Sequence, residues 1–269
     1  MDNRPIGVFD SGLGGLTAVS EIRRILPSEN IIYFGDTSRV PYGGRSRETL
    51  LKYARQDVRF LRSFDIKAIV VACGTVSTNA LTELRQENDL PILGVVDPAC
   101  ARAVKVSKGG RIGLIATAAS VRSGAYERQI LALKPDAAVI SKPCPLFAPL
   151  VENGRYHRGD AVVETVAREY LAPLRDAGVD TLILGCTHYP LLTDVIADVM
   201  GSGVALINTG GEAAWELKRT LTASGARAEP RQGQETFYAS DISGDFSAIA
   251  REFLREDIPH VHSVEIERY

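Results

Sequence analysis

Short apolar, β-branched runs recur along the chain, and stretches of helical periodicity separate them. The runs are PIGVFD (5–10), NIIYF (30–34), KAIVVA (67–72), PILGVV (91–96), RIGLIA (111–116), AAVI (137–140), DTLILG (180–185), VALI (204–207), TFYA (236–239) and VHSVEI (261–266). Continuous apolar strands of this kind fit a parallel sheet buried on both faces. Between two of them, SRETLLKYARQDVRFLR places Leu50, Ala54, Val58 and Leu61 at steps of four, four and three, so one helical face is apolar. Ser46 is placed to cap that helix, and Glu48 favours its first turn. Strand and helix in alternation predict an α/β fold with right-handed crossovers. Segments 42–48 and 142–160 are richer in Gly, Pro and charge and read as loops, where binding residues concentrate.

One internal echo adds to this pattern. IGVFDSG (6–12) is similar to IGLIATA (112–118), and IVVACGT (69–75) to LILGCTH (182–188). The two offsets, 106 and 113, differ only as loop insertions would allow. Any two buried strands share an apolar run, but matched tips of small polar residues are harder to reach by accident. The echo therefore predicts two similar α/β halves.

Composition narrows the classes. The 269 residues are 45% apolar and 24% charged, with 31 basic against 33 acidic side chains. That excludes disorder, collagen and coiled coil, and it leaves no strongly basic footprint for nucleic acid. At roughly 150 residues per domain the length fits one large domain or two small ones. No apolar run approaches the ~18 residues that span a bilayer, so no membrane partner is expected. The first residues, MDNRPIGVFD, lack a basic region followed by an apolar core, so a cytoplasmic location with reduced thiols is the expectation. Four cysteines in a chain of this length are not a disulfide framework.

Cys73 and Cys186 stand out among the candidates for chemistry. Each follows an apolar strand and precedes a helical stretch, which puts it at the C-terminal edge of its sheet, where open α/β folds bind ligands. A helix N-terminus nearby favours thiolate. A single free cysteine is often just a small buried hydrophobe. Two at equivalent tips of two halves ask for more. If the halves face each other, a small ligand meets one thiol on each side. One base then removes a proton from a carbon, and a protonated partner returns one to the opposite face, which inverts the centre. A hydrolase with one Cys nucleophile needs no second. Cys100 and Cys144 lack this context and read as structural.

Asp10 and Ser11 end the first strand, where an acid can polarise a base, bind an amine or merely cap a helix. Gly12, Gly14 and Gly15 form G-x-G-G, short of the full dinucleotide signature, although Asp36 stands some twenty residues on. These glycines fit close approach of backbone N–H groups to a small anion better than a nicotinamide cofactor. His188, two residues after Cys186, can tune that thiol or be satisfied by a backbone carbonyl. Cys-x-His offers only two zinc ligands with no second close pair, so no metal is expected. His260 and His262 alternate along the last strand, and Glu152 precedes a loop glycine.

Several blocks, in order and over nearly the whole chain, resemble those of the glutamate racemases in the cofactor-independent aspartate/glutamate racemase family. They are GVFDSGLGGLT (7–17), YFGDTSRVPYGGR (33–45), VVACGTVS (70–77), SGAYERQ (123–129), CPLFAPLVENG (144–154) and LGCTHYPLL (184–192). The resemblance implies two pseudosymmetric, doubly wound α/β domains with mainly parallel sheets and an active site in the cleft between them. Residues 1–97 with 208–269 would form one domain, and 98–207 the other. It implies interconversion of L- and D-glutamate by two cysteine bases without pyridoxal phosphate, other cofactor or metal. It further implies D-glutamate supply for peptidoglycan and a homodimer. By position, Cys73 and Cys186 match the catalytic thiols, Asp10 the acid assisting the first, and Glu152 and His188 the groups assisting the second. Asp10, Ser11, Tyr42, Gly43, Gly74, Thr75, Thr187 and His188 match substrate-contacting positions, and Thr117 and Ser120 resemble polar residues completing the pocket. Where the family commonly has Cys-Asn-Thr, this chain has Cys73-Gly74-Thr75. That departure keeps aspartate or another acidic amino acid open as substrate. The glycine-rich first turn keeps open a nucleotide-binding oxidoreductase or a small-ligand binding module.

Overall fold

A computed structural model describes residues 1–242, 246–256, 258 and 260–269. A strand lies within or against each of the ten apolar runs. They are β1 (Ile6–Asp10), β2 (Ile31–Gly35), β3 (Ala68–Val71), β4 (Ile92–Gly94), β5 (Arg111–Ala116), β6 (Ala138–Pro143), β7 (Thr181–Leu184), β8 (Ala205–Asn208), β9 (Glu235–Ala239) and β10 (Val261–Ser263). They form two sheets, ordered β10-β9-β2-β1-β3-β4 and β6-β5-β7-β8. Among the described residues every strand pairing is parallel. Each sheet with its covering helices forms one lobe.

The order β2-β1-β3-β4 in the larger sheet is repeated by β6-β5-β7-β8 in the smaller. Register repeats as well. Gly7 faces Ile69 across β1 and β3, and Gly113 faces Leu182 across β5 and β7. These are the residues that the two offsets of the internal echo bring into correspondence. The chain passes between lobes through helix Val96–Val106, which precedes β5, and helix Thr209–Ala223, which follows β8, and these two helices pack on each other.

Local signals explain the elements. The helix Arg47–Leu61 starts where the side chain of Ser46 accepts a hydrogen bond from the Thr49 amide at 3.3 Å. Its stripe of Leu50, Ala54, Val58 and Leu61 is buried. Burial of such a stripe, more than helix propensity, holds a helix of this length. Strands β1, β2, β3 and β7 are buried along their length.

Three sequence expectations change. β6 is not buried on both faces; it is the edge of the smaller sheet and its residues are half-buried or exposed. The run VHSVEI is not one strand, because β10 stops at Ser263 and Ile266 opens a 3₁₀ turn that packs against the helix Arg47–Leu61. The expected loop 142–160 contains a short helix, Phe147–Glu152, whose Phe147 and Val151 are buried. Apolar residues inside a polar segment supplied that core contact.

One buried ion pair sits at the opposite end of the larger sheet from the strand tips used below. Lys67 Nζ pairs with the Glu29 carboxylate, both side chains being almost wholly buried. Glu29 also accepts from the Ala228 amide at 3.0 Å, and the Lys67 ammonium donates to the carbonyls of Asp2 and Ala226. The charges are tolerated inside because these hydrogen bonds satisfy them.

Candidate active site

The C-terminal tips of β1 and β3 in one lobe face those of β5 and β7 in the other. In parallel sheets these tips are where loops and helix starts converge on a ligand. Between them lies a cavity of about 490 Å³, lined by both Cys73 and Cys186. That volume suits one small molecule. Ser11, Tyr42, Gly43, Gly74, Thr75, Thr117, Glu152, Thr187 and His188 also line it. Asp10 and Ser120 do not. Asp10 lies beneath the floor, and Ser120 stands behind Thr117.

Cys73 follows β3 after Ala72 and stands at the N-cap position of the helix Gly74–Asn79 without a side-chain capping hydrogen bond. Its sulfur is 3.7 Å from the hydroxyl of Ser11. Burial, followed by the negative charge of Asp10, pushes its thiol up to about 12. Asp10 itself is fully buried at the end of β1. Its Oδ2 accepts from the amides of Gly12 (3.1 Å) and Gly15 (3.0 Å). Its Oδ1 has no hydrogen-bond partner among the described residues. Burial raises its carboxyl above the usual range, while the nearby His188 works in the other direction.

Cys186 follows β7 and, unlike Cys73, leads into a 3₁₀ turn, Tyr189–Leu192, before the helix Thr193–Met200 begins. The expected helix N-terminus is therefore displaced from this sulfur. His188 takes up the electrostatic role instead. Its Nδ1 lies 3.7 Å from Cys186 Sγ, and its Nε2 donates to Glu152 Oε1 at 2.9 Å. The ring is buried and meets Phe253 edge-on, with centroids 5.3 Å apart. Burial alone disfavours the imidazolium, but the hydrogen bonds to Cys186 and Glu152 outweigh it and raise His188 to about 10. The site therefore holds a cation beside the sulfur of Cys186, whereas the group acting on the sulfur of Cys73 is a buried carboxyl.

Polar groups rim the cavity from both lobes. Thr75 Oγ1 and Thr117 Oγ1 are 2.9 Å apart, joining the tip of β3 to the tip of β5. Thr117 caps the helix Ala118–Ser123, accepting from the Ser120 amide at 3.2 Å. The Ser120 hydroxyl lies 3.0 Å from Thr117 Oγ1 and 3.3 Å from Thr78 Oγ1, so it supports the rim from behind.

The wall formed by residues 40–44 is held from outside the cavity. Arg39 is buried and donates to Asp36 Oδ2 (2.6 Å), Gln56 Oε1 (2.6 Å) and Asp57 Oδ1 (3.0 Å). The Tyr42 hydroxyl donates to the same Asp36 carboxylate, so it is turned away from a ligand. The Gly43 carbonyl accepts from the Ala119 amide of the other lobe at 3.1 Å. Periodicity gave no hint that Gln56 and Asp57 would be buried, since they sit beside the apolar stripe of their helix and answer Arg39 in another element.

Cys144, which the sequence marked as structural, is part of the cavity wall, with Pro145, Ala148 and Pro149. No spacing rule marked this segment. Only the packing of the helix Phe147–Glu152 against the turn after Cys186 brings it there. Thr17 was also missed. Its hydroxyl shares its proton between the carbonyls of Gly14 and Thr187, both at 2.9 Å, and so ties the first helix of one lobe to the second cysteine tip of the other.

With this geometry in hand, comparison with known proteins is informative. The model of the Asp/Glu/hydantoin racemase family matches residues 17–217. A glutamate racemase of Geobacter metallireducens is 43% identical over 265 residues, covering 98% of this chain and 97% of its own. The crystal structure of the glutamate racemase isoform RacE1 from Bacillus anthracis superposes with a TM-score of 0.94 at 39% identity, covering 98% of each chain. That of glutamate racemase from Francisella tularensis in complex with D-glutamate gives 0.92 at 38% identity, covering 100% of each chain. The chain belongs to the Asp/Glu/hydantoin racemase family, among its glutamate racemases, and is an isomerase.

Proposed function

We propose that this chain interconverts L- and D-glutamate by a two-base mechanism in which Cys73 and Cys186 act on opposite faces of Cα. The observation that carries the reading is the opening of both thiols, one from each lobe, onto a single cavity. The relative from Francisella tularensis, solved with D-glutamate, supports the choice of substrate.

The groups beside the two sulfurs set the starting roles. With its thiol pushed up to about 12, Cys73 starts as the protonated acid. Cys186, with the His188 imidazolium 3.7 Å away, starts as the thiolate that takes the Cα proton. Removing that proton leaves a planar carbanion, and Cys73 delivers a proton to its other face. The protonation states are then exchanged. The enzyme next runs the opposite enantiomer or resets by exchanging protons with water. An ionised α-carboxylate opposes carbanion formation, so donors must stabilise the developing charge. Ser11, Thr75, Thr117 and Thr187 are the hydroxyl-bearing side chains on the cavity wall suited to this, with the backbone of 42–44 and Gly74 beside them. Asp10 acts from below, by keeping Cys73 protonated. The reaction as written uses side chains alone, with no cofactor or metal in any step.

The same reading places the lobe boundaries at 1–97 with 208–269 and at 98–207, and assigns the product to peptidoglycan synthesis in the cytoplasm. Among the described residues no helix is long and apolar enough to cross a membrane. The test is incubation with L-glutamate in D₂O without added cofactor. Optical rotation should decay to zero while deuterium enters Cα; well-folded protein that does neither defeats the proposal. Running aspartate in parallel decides between the two acidic substrates.

A further inference from the structure

The cavity explains what the two sulfurs can do, but not what keeps them at a working distance. They sit on different lobes, and a base pair acting on one carbon from both sides tolerates little error. A displacement of about 1 Å can cost roughly a hundredfold in rate. The segment 185–188, which carries Cys186, meets the first lobe at two places that flank that cysteine.

On one flank is Gly74, the residue after Cys73. A Cβ built on it would overlap the carbonyl oxygen of Gly185, the residue before Cys186. Gly185 cannot retreat, because it is backed by its own lobe. A Cβ there would fall 2.8 Å from Leu114 Cδ1 and 2.9 Å from the Ile115 carbonyl oxygen. On the other flank is Gly14. A Cβ on it would overlap Thr187 Oγ1 and lie 2.6 Å from the His188 ring. Next to it, the Thr17 hydroxyl lies 2.9 Å from the carbonyls of both Thr187 and Gly14, so its one proton is shared between the two sides of the contact. The backbone before Cys186 therefore rests on Gly74, while after it the side chains of Thr187 and His188 rest on Gly14 and the Thr187 carbonyl on the Thr17 hydroxyl.

We propose that Gly74, Gly14 and Thr17 are positioning residues that clamp segment 185–188 against the first lobe and so fix the span between the sulfurs of Cys73 and Cys186. This gives the departure Cys73-Gly74-Thr75 a physical meaning: at this lobe spacing a side chain at position 74 has no room. The inference rests on the two-base reading above.

A one-base reaction at the same site separates positioning from general damage. In 3-chloroglutamate, a thiolate removes the Cα proton, the electron pair forms the Cα–Cβ double bond, and chloride leaves. The enamine then tautomerises and hydrolyses to 2-oxoglutarate and ammonium. This needs one sulfur, whereas racemisation needs both. The substrate hand to use is the one that the Cys186→Ser variant still consumes. In Gly74→Ala the ratio of racemisation kcat to elimination kcat is expected to fall by roughly tenfold or more, since the second base is displaced. In Thr17→Val, which keeps the shape and removes the hydrogen bond, the same ratio should fall by a smaller factor. An unchanged ratio in both variants overturns the clamp while leaving the racemase reading intact. If Gly74→Ala does not fold, Thr17→Val decides alone. If the unaltered chain does not racemise glutamate, the two-base reading falls first and the clamp falls with it.

Discussion

His188 holds its Nδ1 3.7 Å from the sulfur of Cys186, while its other nitrogen is engaged by Glu152 at 2.9 Å. The ring is thus fixed between a carboxylate and a sulfur, and its hydrogen bonds to both favour its charged form. Among the described residues no such cation is paired with Cys73; the position of His188 in the repeat is occupied there by Thr75, and the group acting on Cys73 is the buried carboxyl of Asp10. Two sulfurs at matching strand tips thus meet different electrostatic surroundings.

Both sulfurs are required if each serves one face of Cα. Cys73→Ser and Cys186→Ser should each lower racemisation by roughly 10²–10⁴-fold, the usual contribution of a positioned acid or base. Each should retain elimination from one hand of 3-chloroglutamate. Steady-state kinetics on both substrates check this, and loss of both activities in either variant counts against separate roles.

The charge on His188 sets an upper pH limit. Its folded value of about 10 exceeds its ordinary 6.5. Its contribution to stability is therefore fully present below about pH 6.5 and is lost as pH rises through about 10. The rate of the direction begun by Cys186 should fall over the same upper range. Glu152→Gln removes one of the two supports of the cation. Since the Glu152 side chain is 43% exposed, the limit should move down by only about one pH unit, at the low end for an opposite charge. A pH–rate profile of both proteins measures the shift, and an unchanged limit removes Glu152 from this role.

Lys67 matters for stability and not for chemistry. Lys67→Met leaves the buried Glu29 carboxylate with only the half-buried Arg227, 3.5 Å away, as a cation, which should cost up to roughly 3–5 kcal/mol. Urea denaturation reads the loss. The folded fraction should keep its kcat, since the pair lies at the far end of the sheet from the cavity.

Ser46→Ala removes the side-chain acceptor at the start of the helix Arg47–Leu61 and should cost about 1 kcal/mol. A loss much larger than this would mean that Ser46 does more than cap.

Much of this was legible in the chain. The ten apolar runs located the strands, because residues buried in a parallel sheet must be apolar whichever way they point. Ser46 and the stripe from Leu50 to Leu61 located a helix, because capping and periodicity are local. The echo between 69–75 and 182–188 foretold two similar α/β halves, because a repeated sequence rebuilds similar elements; their common strand order came from the structure. The same repeat put Cys73 and Cys186 at matching strand tips.

What local pattern did not hold was decided by packing between distant elements. Cys144 reached the cavity wall only because the helix after it docks beside the turn that follows Cys186. Thr17 became a tie between lobes only because the carbonyl of Thr187 came to rest above it. Gly74 reads in the chain as a missing amide, yet in the fold it is the point where the Gly185 carbonyl leaves no space for a side chain. Sequence alone determined the strands, the repeat and the two thiols, since each follows from rules that act on neighbours along the chain. The distance between those thiols, and the charge each one feels, belong to the tertiary structure, because they depend on how closely two separately folded sheets approach each other.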